Sequence, residues 1–216
     1  MQISDRPVAK LYGMAGRRSA LEARDTRATI VRRAADIGSV EGLEGITIGR
    51  LAADLEMSKA GVIGHFGSKE ELQLATLALA GELFVEQVWE PAEHLRPGLE
   101  RLLGICDAWV RYADRPILSG GCFIAAVSFE FDGREGRVHD QLKEVVGRWR
   151  KTLVREISVA TADGDLPADL DPEQAAFSLE ALAAGMNPAR RLYGDSAAPD
   201  WSLTAMHAVL GVNRPA

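Results

Sequence analysis

Residues 58–69 read SKAGVIGHFGSK, and this stretch decides the fold because a helix-capping serine stands near each end. Ser58 is placed to cap a short helix through Phe66, since a serine oxygen accepts hydrogen bonds from the free N–H groups of a first turn. Ser68 and Glu71 form the pattern of a capping box for the next helix. The stretch therefore predicts a short helix followed at once by a second helix.

The residues before this stretch predict two further helices. An apolar stripe with helical spacing starts at about residue 26 and ends near Gly42; it contains Ile30, Val31, Ala34, Ala35 and Ile37. Thr47 offers an N-cap oxygen for a short helix with apolar residues at i, i+3, i+4 and i+7, namely Ile48, Leu51, Ala52 and Leu55. Two short helices joined by a brief link are the layout of a helix-turn-helix unit.

The rest of the chain also has helical periodicity, and no stretch shows the alternation that predicts a sheet. Asp171 is placed as an N-cap with Pro172 behind it, and Pro188 should kink the helix that follows. The apolar segment 120–131 predicts a buried helix or a pocket wall. The helices predicted after residue 68 span, in order, residues 69–91, 97–114, 120–131, 136–162, 171–185 and 202–212. The fold class is all-α.

Composition and charge narrow the class of protein. The 216 residues are 47% apolar and 26% charged, which is typical of a globular protein. No apolar run reaches the roughly 18 residues of a membrane helix, and the first 20 residues do not resemble a signal peptide, so we expect a cytoplasmic location without membrane contact. Residues 1–69 carry a net charge of +3 and residues 70–216 a net charge of −9. This asymmetry favours a small nucleic-acid-binding unit on an acidic body.

Two cysteines, Cys106 and Cys122, lack the spacing of a zinc site or a disulfide framework. Both are interpreted as small core residues, with a redox role for Cys122 as the alternative because its glycine-rich setting would expose it. Nothing in the sequence predicts a cofactor or a metal.

Residues 30–79, IVRRAADIGSVEGLEGITIGRLAADLEMSKAGVIGHFGSKEELQLATLAL, resemble the DNA-binding domain of tetracycline-repressor (TetR) family transcriptional regulators. The resemblance implies a homodimer whose recognition helices enter successive major grooves of a pseudo-palindromic DNA operator. It also implies a small-molecule effector that binds the larger domain and releases DNA. The implied organisation is an N-terminal tail (residues 1–22), a three-helix helix-turn-helix domain (23–68) and a helical effector-binding and dimerisation domain (69–216).

The DNA-binding residues follow from this resemblance and from their chemistry. Lys59 is suited to a guanine edge or a phosphate, Ala60 and Gly61 allow close approach of the backbone, and Ile63 or Val62 suits a thymine methyl. The family pattern has a tyrosine where Ile63 stands and a turn glycine where Glu56 stands. The residues expected to position phosphates are Thr47, Arg50, Ser58, His65, Ser68 and Lys69. Arg24 and Arg27 are expected to add minor-groove or backbone contacts, with Arg17 and Arg18 as weaker candidates.

The larger domain offers candidate effector-binding and dimerisation residues. Large or soft side chains are expected to line a ligand pocket; they are Phe84, Trp109, Tyr112, Cys122, Phe123, Phe131 and Met186, with Phe129 as a further candidate. Residues 136–162 and the helix after Asp171 are expected to pair with their copies in a four-helix bundle. The stripe expected at that contact is Ala176, Leu179, Ala183 and Met186.

Two other functions remain open at this point. One is a DNA-binding activator, or a regulator of the same fold without ligand control. The other is an all-α enzyme or redox sensor that uses Cys122 with His94, His139 or His207, although no spacing sets a nucleophile beside a base.

Overall fold

The computed structural model describes residues 6–115 and 117–213, with side chains from residue 21 onward, and every regular element within these ranges is helical. The all-α prediction is confirmed. The helices are α1 (Arg6–Glu41), α2 (Ile48–Asp54), α3 (Lys59–Gly64), α4 (Lys69–Phe84), α5 (Glu90–Glu93), α6 (Leu99–Asp114), α7 (Phe123–Phe131), α8 (Arg137–Ala162), α9 (Pro172–Arg191) and α10 (Ala198–Val209). Among the described residues, no helix is long and apolar enough to cross a membrane.

Helix α1 begins at Arg6, about 20 residues before the predicted start. The apolar stripe marks where the helix becomes buried: the side chains of residues 21–29 are exposed or half-buried, whereas Ile30 and Val31 are buried. Pro7 stands in the first turn, where a missing N–H is tolerated. Residues 6–22 were expected to be a tail and are helical, whereas the side chains of Arg17 and Arg18 lie outside the described residues.

The predicted caps of the helix-turn-helix unit are present. The hydroxyl of Thr47 accepts a hydrogen bond from Arg50 N at 3.2 Å, and that of Ser58 accepts one from Gly61 N at 2.9 Å. Ser68 accepts from Glu71 N at 3.1 Å, which is half of the predicted capping box. The Glu71 carboxylate accepts a hydrogen bond from Arg137 of α8, so this side chain ties α4 to α8.

The turn between α2 and α3 is left-handed at Glu56, whose φ is 53°. A residue with a Cβ is strained in this region, and the cost is about 1 kcal/mol. Glu56 N and Met57 N donate to Ala53 O and Ala52 O, so two backbone hydrogen bonds hold the turn in this conformation.

Helix α4 continues through a π-helical turn, Val85–Trp89, into α5. Pro91 lies in the first turn of α5 and has no N–H to donate to the carbonyl of Gln87. The α-helical hydrogen-bond ladder is interrupted at this point, and the helical path ends at Glu93 rather than at Pro91.

The buried apolar residues form two clusters. The first joins α1–α4 to α7 and to the start of α8, and it contains Phe123, Val127, Phe131 and Val138. The second lies among α4, α6, α8, α9 and α10. The core of the helix-turn-helix unit is therefore continuous with α7, and a displacement of α7 acts directly on the packing of α1.

One expectation about a helix face is wrong. The stripe expected at a subunit contact, Ala176, Leu179, Ala183 and Met186, is buried in the second cluster of this chain's own core. Of the two alternatives for residues 120–131, a buried helix or a pocket wall, the second is confirmed: α7 lines a pocket, and its Phe129 side chain is 70% exposed. Helix α9 continues through Pro188 as far as Arg191.

Candidate nucleic-acid interface and ligand cavity

Helix α3 divides its residues between the core and solvent. Val62 and Phe66, just after the helix, are buried in the first apolar cluster. Lys59 and Ala60 are exposed, as is Gly64. Gly61, Ile63 and His65 are half-buried at the edge of this face. Val62 is therefore not free to reach a thymine methyl, which leaves Ile63 as the apolar side chain beside the exposed face.

The exposed face of α3 is nearly flat at its centre, because Gly61 and Gly64 carry no side chains there. A Cβ added at Gly64 would meet nothing within 4 Å, and one added at Gly61 would come within 3.1 Å of Ser58 Oγ. The backbone at these glycines is open to a surface that approaches closely, such as the base edges in a major groove.

Two of the cations expected to reach phosphates, Lys69 and Arg50, are paired with acidic groups. Lys69 Nζ lies 2.9 Å from Glu44 Oε2, and this hydrogen bond is the largest of the influences that together lower the pKa of Glu44. Arg50 pairs with Glu41, which raises the pKa of Arg50. When a phosphate binds to Lys69 or Arg50, the ion pair must break or the cation must contact the phosphate and the carboxylate together.

The other basic residues of this region have different surroundings. The guanidinium of Arg27 lies 4.8 Å from the centre of the Phe66 ring, as a cation–π contact. Lys59 extends past Gly49, at the start of α2, and forms no ion pair with a residue among those described. Arg24 is exposed on α1. Thr47, Ser58 and Ser68 are exposed beside the N-termini that they cap.

Helix α7 is bonded to the loop between α1 and α2. The carboxylate of Glu130 accepts hydrogen bonds from Leu43 N at 2.7 Å and Glu44 N at 3.0 Å. Arg134, just after α7, pairs with Glu44 at 3.3 Å. Glu44 is therefore shared between Lys69 and Arg134, and one side chain connects α7 to the start of α4.

The loop before α7 is bonded to α1 and α9. Asp36 Oδ1 accepts from Ser119 N and Ser39 Oγ accepts from Gly120 N, both at 2.8 Å. A Cβ at Gly120 would lie 1.8 Å from Ser39 O, so this contact requires glycine. On the other side of the loop, Arg191 of α9 donates to Ser119 O. The loop thus joins the first helix to a helix of the larger domain.

A cavity of about 160 Å³ lies beside α7 in the larger domain. Its wall includes three of the predicted ligand residues, Phe84, Trp109 and Cys122, together with Phe129. The rings of Phe84, Trp109 and Trp149 meet edge to face, with centres 4.9–5.8 Å apart. An open groove of about 700 Å³ between α4 and α8 shares Phe84 and Trp149 with the cavity.

Four predicted ligand residues do not line this cavity. Phe123 and Phe131 face α1 and α4 in the first apolar cluster, and Met186 lies in the second. Tyr112 packs behind the wall, with its ring centre 5.8 Å from that of Phe84. The cavity is also lined by Trp149 and Glu180, which were not among the predicted ligand residues. The sequence features that could have indicated them are, for Trp149, an aromatic residue on the inner face of amphipathic α8 and, for Glu180, a single acid among the alanines and leucines of α9.

Both cysteines are buried and unpaired in disulfides. Burial raises the pKa of Cys122, and it raises the pKa of Cys106 to about 12. The interpretation of both cysteines as core residues is confirmed, whereas the alternative requires an exposed Cys122, which is buried where the loop before it packs against α1 and α9. A thiol that is buried and protonated is a poor nucleophile and a poor redox sensor.

Helices α9 and α10 together present an exposed apolar face. On α9 the exposed residues after Gln174 are Phe177, Ala181, Gly185, Pro188 and Arg191, and the exposed Leu192 follows the helix. On α10 Trp201 is 62% exposed, and Phe177 on α9 is 60% exposed. By contrast, the exposed residues of α8 are mostly charged; they include Asp140, Lys143, Glu144, Arg148, Lys151 and Arg155.

Comparisons with known proteins agree with this architecture. Residues 98–206 match the family described as tetracyclin repressor-like, C-terminal domain. A TetR transcriptional regulator from Chloroflexus aurantiacus J-10-FL is similar at 25% identity and a TM-score of 0.81, with 90% of this chain and 99% of that chain covered. A TetR-family regulator from Cytophaga hutchinsonii is similar at 20% identity and a TM-score of 0.76, over 90% and 98% of the two chains.

A third similar structure is that of AibR in complex with isovaleryl coenzyme A and operator DNA. It has 23% identity and a TM-score of 0.69, with 88% of this chain and 99% of that chain covered. The comparison with curated protein sequences found no match.

Proposed function

Since this chain belongs to the TetR family of DNA-binding transcriptional regulators, we propose that it is a homodimeric repressor of a pseudo-palindromic operator, released by a small-molecule effector. The observation that carries the proposal is the connection of three parts in one chain. A capped helix-turn-helix unit, a pocket in the larger domain and an exposed apolar face are connected through α7 and the loop before it. Repression is the proposed mode because most regulators of this family block promoters.

The DNA-binding surface is the exposed side of α3 with the N-termini of α2 and α4. Its nearly flat centre at Gly61 and Gly64 lets the backbone approach base edges, while Lys59 and Lys69 stand at its margins. Few side chains on this face carry hydrogen-bonding groups for bases, so DNA shape and methyl contacts contribute to specificity. The structural relative AibR, whose complex contains operator DNA, supports this use of the fold.

The homodimer is proposed to form through α9 and α10. Their exposed apolar face is self-complementary in chemistry, and a twofold axis would bury Phe177 and Trp201 against a second copy. The charged outer face of α8 does not suit such a contact. The proposed dimer interface therefore consists of α9 and α10, whereas the sequence predicted α8 and α9. Two units held in this way would read half-sites one helical turn apart, about 34 Å.

The effector is proposed to act through α7. Its cavity is lined by Cys122 and Phe129 at the two ends of this helix, while Glu130 holds the loop that carries Glu44. A ligand that displaces α7 moves Leu43 and Glu44, and with them the first helices of each unit. Because half-sites on DNA accept only one separation, a change in the separation of the units weakens binding to the phosphates and lowers the affinity for DNA.

Light scattering and mobility shift together test this function. We expect the purified chain to be a dimer at micromolar concentration and to shift a duplex that contains an inverted repeat selected from random DNA. The variant Trp201→Asp should be monomeric and should lose the shift, whereas Tyr193→Asp, at an exposed residue beyond α9, should retain both. A wild-type chain that is monomeric when bound to DNA would contradict the proposal. Binding to the repeat without release by any ligand that fills the cavity would favour the ligand-independent alternative.

A further inference from the structure

The first turn of α4 carries two acidic side chains beside the proposed DNA-binding surface. Glu70 and Glu71 directly follow Ser68 and Lys69, which are expected to position phosphates. Both acidic side chains are about half exposed, so their charges face solvent on this side of the protein. Because like charges repel, two carboxylates in this turn oppose the approach of a phosphate unless they are neutralised or held elsewhere.

The sequence position of Glu71 favours a place directly at the start of α4. In a complete capping box, the acidic residue three positions after the capping serine accepts a hydrogen bond from the backbone N–H of that serine. Only the other half of the box is formed here, with Glu71 N donating to Ser68 Oγ at 3.1 Å. The Ser68 N–H forms no hydrogen bond with any residue that the structure describes. The Glu71 carboxylate therefore does not occupy the place that the motif favours.

Arg137, the first residue of α8, explains the position of this carboxylate. Its Nη1 donates a hydrogen bond to Glu71 Oε1 at 2.6 Å and another to Glu70 Oε2 at 3.0 Å. The hydrogen bond to Glu71, and then the one to Glu70, raise the pKa of Arg137. One turn further along, Gln141 of α8 donates to Leu74 O of α4 at 3.2 Å. One guanidinium group thus binds both carboxylates on the side of α4 that packs against α8.

The segment between α7 and α8 binds a third carboxylate of the same surface. Arg134 Nη1 lies 3.3 Å from Glu44 Oε1, and Glu44 is also the partner of Lys69. Arg134 is itself positioned by α7, since its guanidinium lies 4.7 Å from the centre of the Phe131 ring. Two arginines that are three residues apart therefore bind three acidic side chains beside the start of α4.

We propose that Arg137 is a positioning residue for DNA binding, which holds Glu70 and Glu71 against α8 and so keeps both carboxylates out of the path of a phosphate. The inference rests on the proposed function, because it concerns the same DNA-binding surface. Without Arg137, Glu71 turns back to the Ser68 N–H and completes the capping box. The start of α4 then carries a carboxylate where DNA brings a phosphate, and the affinity for DNA falls although Arg137 does not contact DNA.

Mobility-shift titrations with an inverted-repeat operator test this role. Arg137→Gln should bind about tenfold more weakly than the wild type at low salt, where the repulsion is least screened. Glu70→Ala/Glu71→Ala should bind no more weakly than the wild type, because Arg137 already holds these carboxylates. The triple variant should recover the affinity that Arg137→Gln loses. Removal of the carboxylates should therefore increase affinity at least about fivefold more in the Arg137→Gln background than in the wild type.

Arg96→Gln is the matched control. The Arg96 side chain is 59% exposed, against 60% for Arg137, and it also pairs with two acidic residues, Asp163 and Asp165. These residues follow the far end of α8, which has 26 residues and is therefore about 39 Å long. Arg96→Gln should leave operator affinity unchanged. All variants should melt within a few degrees of the wild type, since the substituted side chains are exposed.

Amide hydrogen exchange at Ser68, followed by NMR without DNA, tests the movement of Glu71. In Arg137→Gln the Ser68 amide should exchange several-fold more slowly than in the wild type, because the Glu71 carboxylate accepts its hydrogen bond. Addition of Glu71→Ala to this variant should restore the wild-type rate. An unchanged rate at Ser68 in Arg137→Gln would overturn the proposal.

The DNA titrations distinguish the role of Arg137 from two simpler ones. Weaker binding by Glu70→Ala/Glu71→Ala would mean that the ion pairs only fasten α8 to α4. An equal gain from removing the carboxylates in both backgrounds would mean that Arg137 itself binds phosphate. Either result would overturn the proposal and leave the proposed function intact. A wild-type chain that binds no inverted repeat would contradict the proposed function, and the role of Arg137 with it.

Discussion

The Nζ atom of Lys69 donates a hydrogen bond to Glu44 Oε2 at 2.9 Å and a second one to Glu44 O at 3.2 Å. Lys69 begins α4, where the free N–H groups of the first turn favour an anion. In the absence of DNA its ammonium group is held by Glu44, and Glu44 in turn lies against Arg134 beside α7. The residue expected to bind phosphate is therefore connected to the helix that lines the cavity.

The variant Lys69→Ala should weaken operator binding by a similar factor for all sequences. For B-DNA, the slope of log affinity against log salt changes by about 0.9 for each phosphate that the protein neutralises, so removing one lysine from each subunit of a dimer should make the slope shallower by about 2. Mobility-shift titrations at several salt concentrations measure this slope. Lys151→Ala, at an exposed position on α8, should leave the slope unchanged. An unaltered slope for Lys69→Ala would remove Lys69 from the interface.

The partner variant Glu44→Gln should bind DNA more tightly. It releases Lys69 and removes a negative charge near the phosphates, and an exposed ion pair of this kind is worth at most about 1 kcal/mol, or about fivefold in affinity. The same titration at low salt measures the gain. Weaker binding would mean that Glu44 positions Lys69 for phosphate rather than competing with it.

Gly64 tests the close approach of α3. Replacing it by alanine should stabilise the protein by about 1 kcal/mol, because the site is helical and a Cβ there meets nothing within 4 Å. Gly64→Leu should fold equally well but bind the operator at least tenfold more weakly, since the larger side chain holds the backbone away from the base edges. Thermal unfolding and mobility shift separate the two effects. Wild-type affinity for the leucine variant would place the DNA contact elsewhere on the helix.

Replacement of Glu56 by glycine should raise the free energy of unfolding by about 1 kcal/mol, because φ at this residue is 53°. For a chain of this size the melting temperature should rise by about 2–4 °C. Glu56→Ala removes the carboxylate and keeps the Cβ, so it should show no such gain. An equal gain in stability for the alanine variant would mean that the carboxylate of Glu56, and not its left-handed backbone, destabilises the wild type.

The coupling between cavity and DNA should depend on Glu130. The variant Glu130→Gln weakens the hydrogen bonds from Leu43 N and Glu44 N, so effector binding in the larger domain should reach the DNA-binding unit less effectively. We expect operator affinity without ligand to change little, and the decrease in affinity on adding ligand to shrink several-fold. Glu135→Gln, at an exposed residue beyond α7, serves as the control. If the ligand releases DNA from the Glu130 variant as fully as from the wild type, the hydrogen bonds of Glu130 do not transmit effector binding.

Glu156 gives the protein a predictable acid sensitivity. Burial raises the pKa of this carboxyl, but the Gly98 N–H and the guanidinium groups of Arg155 and Arg101 outweigh burial, so that the pKa of Glu156 lies below 4.5. Its contribution to stability is present above about pH 4.5 and is lost as the pH falls through the lower pKa of the folded state. Removal of one partner from such a buried group costs about 3 kcal/mol.

Chemical unfolding at several pH values measures this contribution. Glu156→Gln should be less stable than the wild type at pH 7, and the difference should shrink below pH 4. Glu144→Gln, on an exposed turn of the same helix, should differ little from the wild type at any pH. A difference for Glu156→Gln that does not vary with pH would mean that its charge has no part in stability.

The sequence predicted the helix-turn-helix unit well because its signals are local. A capping hydroxyl and the apolar residues of the following turns lie within a few positions of one another, and the caps at Thr47, Ser58 and Ser68 are present in the structure. The early start of α1 was missed, because the apolar stripe by which the helix was placed begins only at about residue 26.

The cavity was predicted less well, because its wall is assembled from five helices. Periodicity showed that Phe123 and Phe131 are buried, but not that they face α1 rather than the cavity. Glu180 gave no signal as a cavity residue, since its position depends on the packing of α9 against α8 and on the partner Arg150. Periodicity likewise did not show which apolar stripe of α9 is buried in this chain. The dimer contact was therefore predicted on the buried stripe, Ala176 to Met186, whereas the contact now proposed uses the exposed stripe that begins at Phe177.

Genome-wide footprinting with the purified protein tests the central claim most directly. The account predicts a small number of protected inverted repeats in promoter regions, each with half-site centres about one helical turn apart and each bound by one dimer. Protection should disappear for Gly64→Leu and weaken uniformly for Lys69→Ala. Protection of no inverted repeat, or salt-sensitive protection without any sequence preference, would contradict the account.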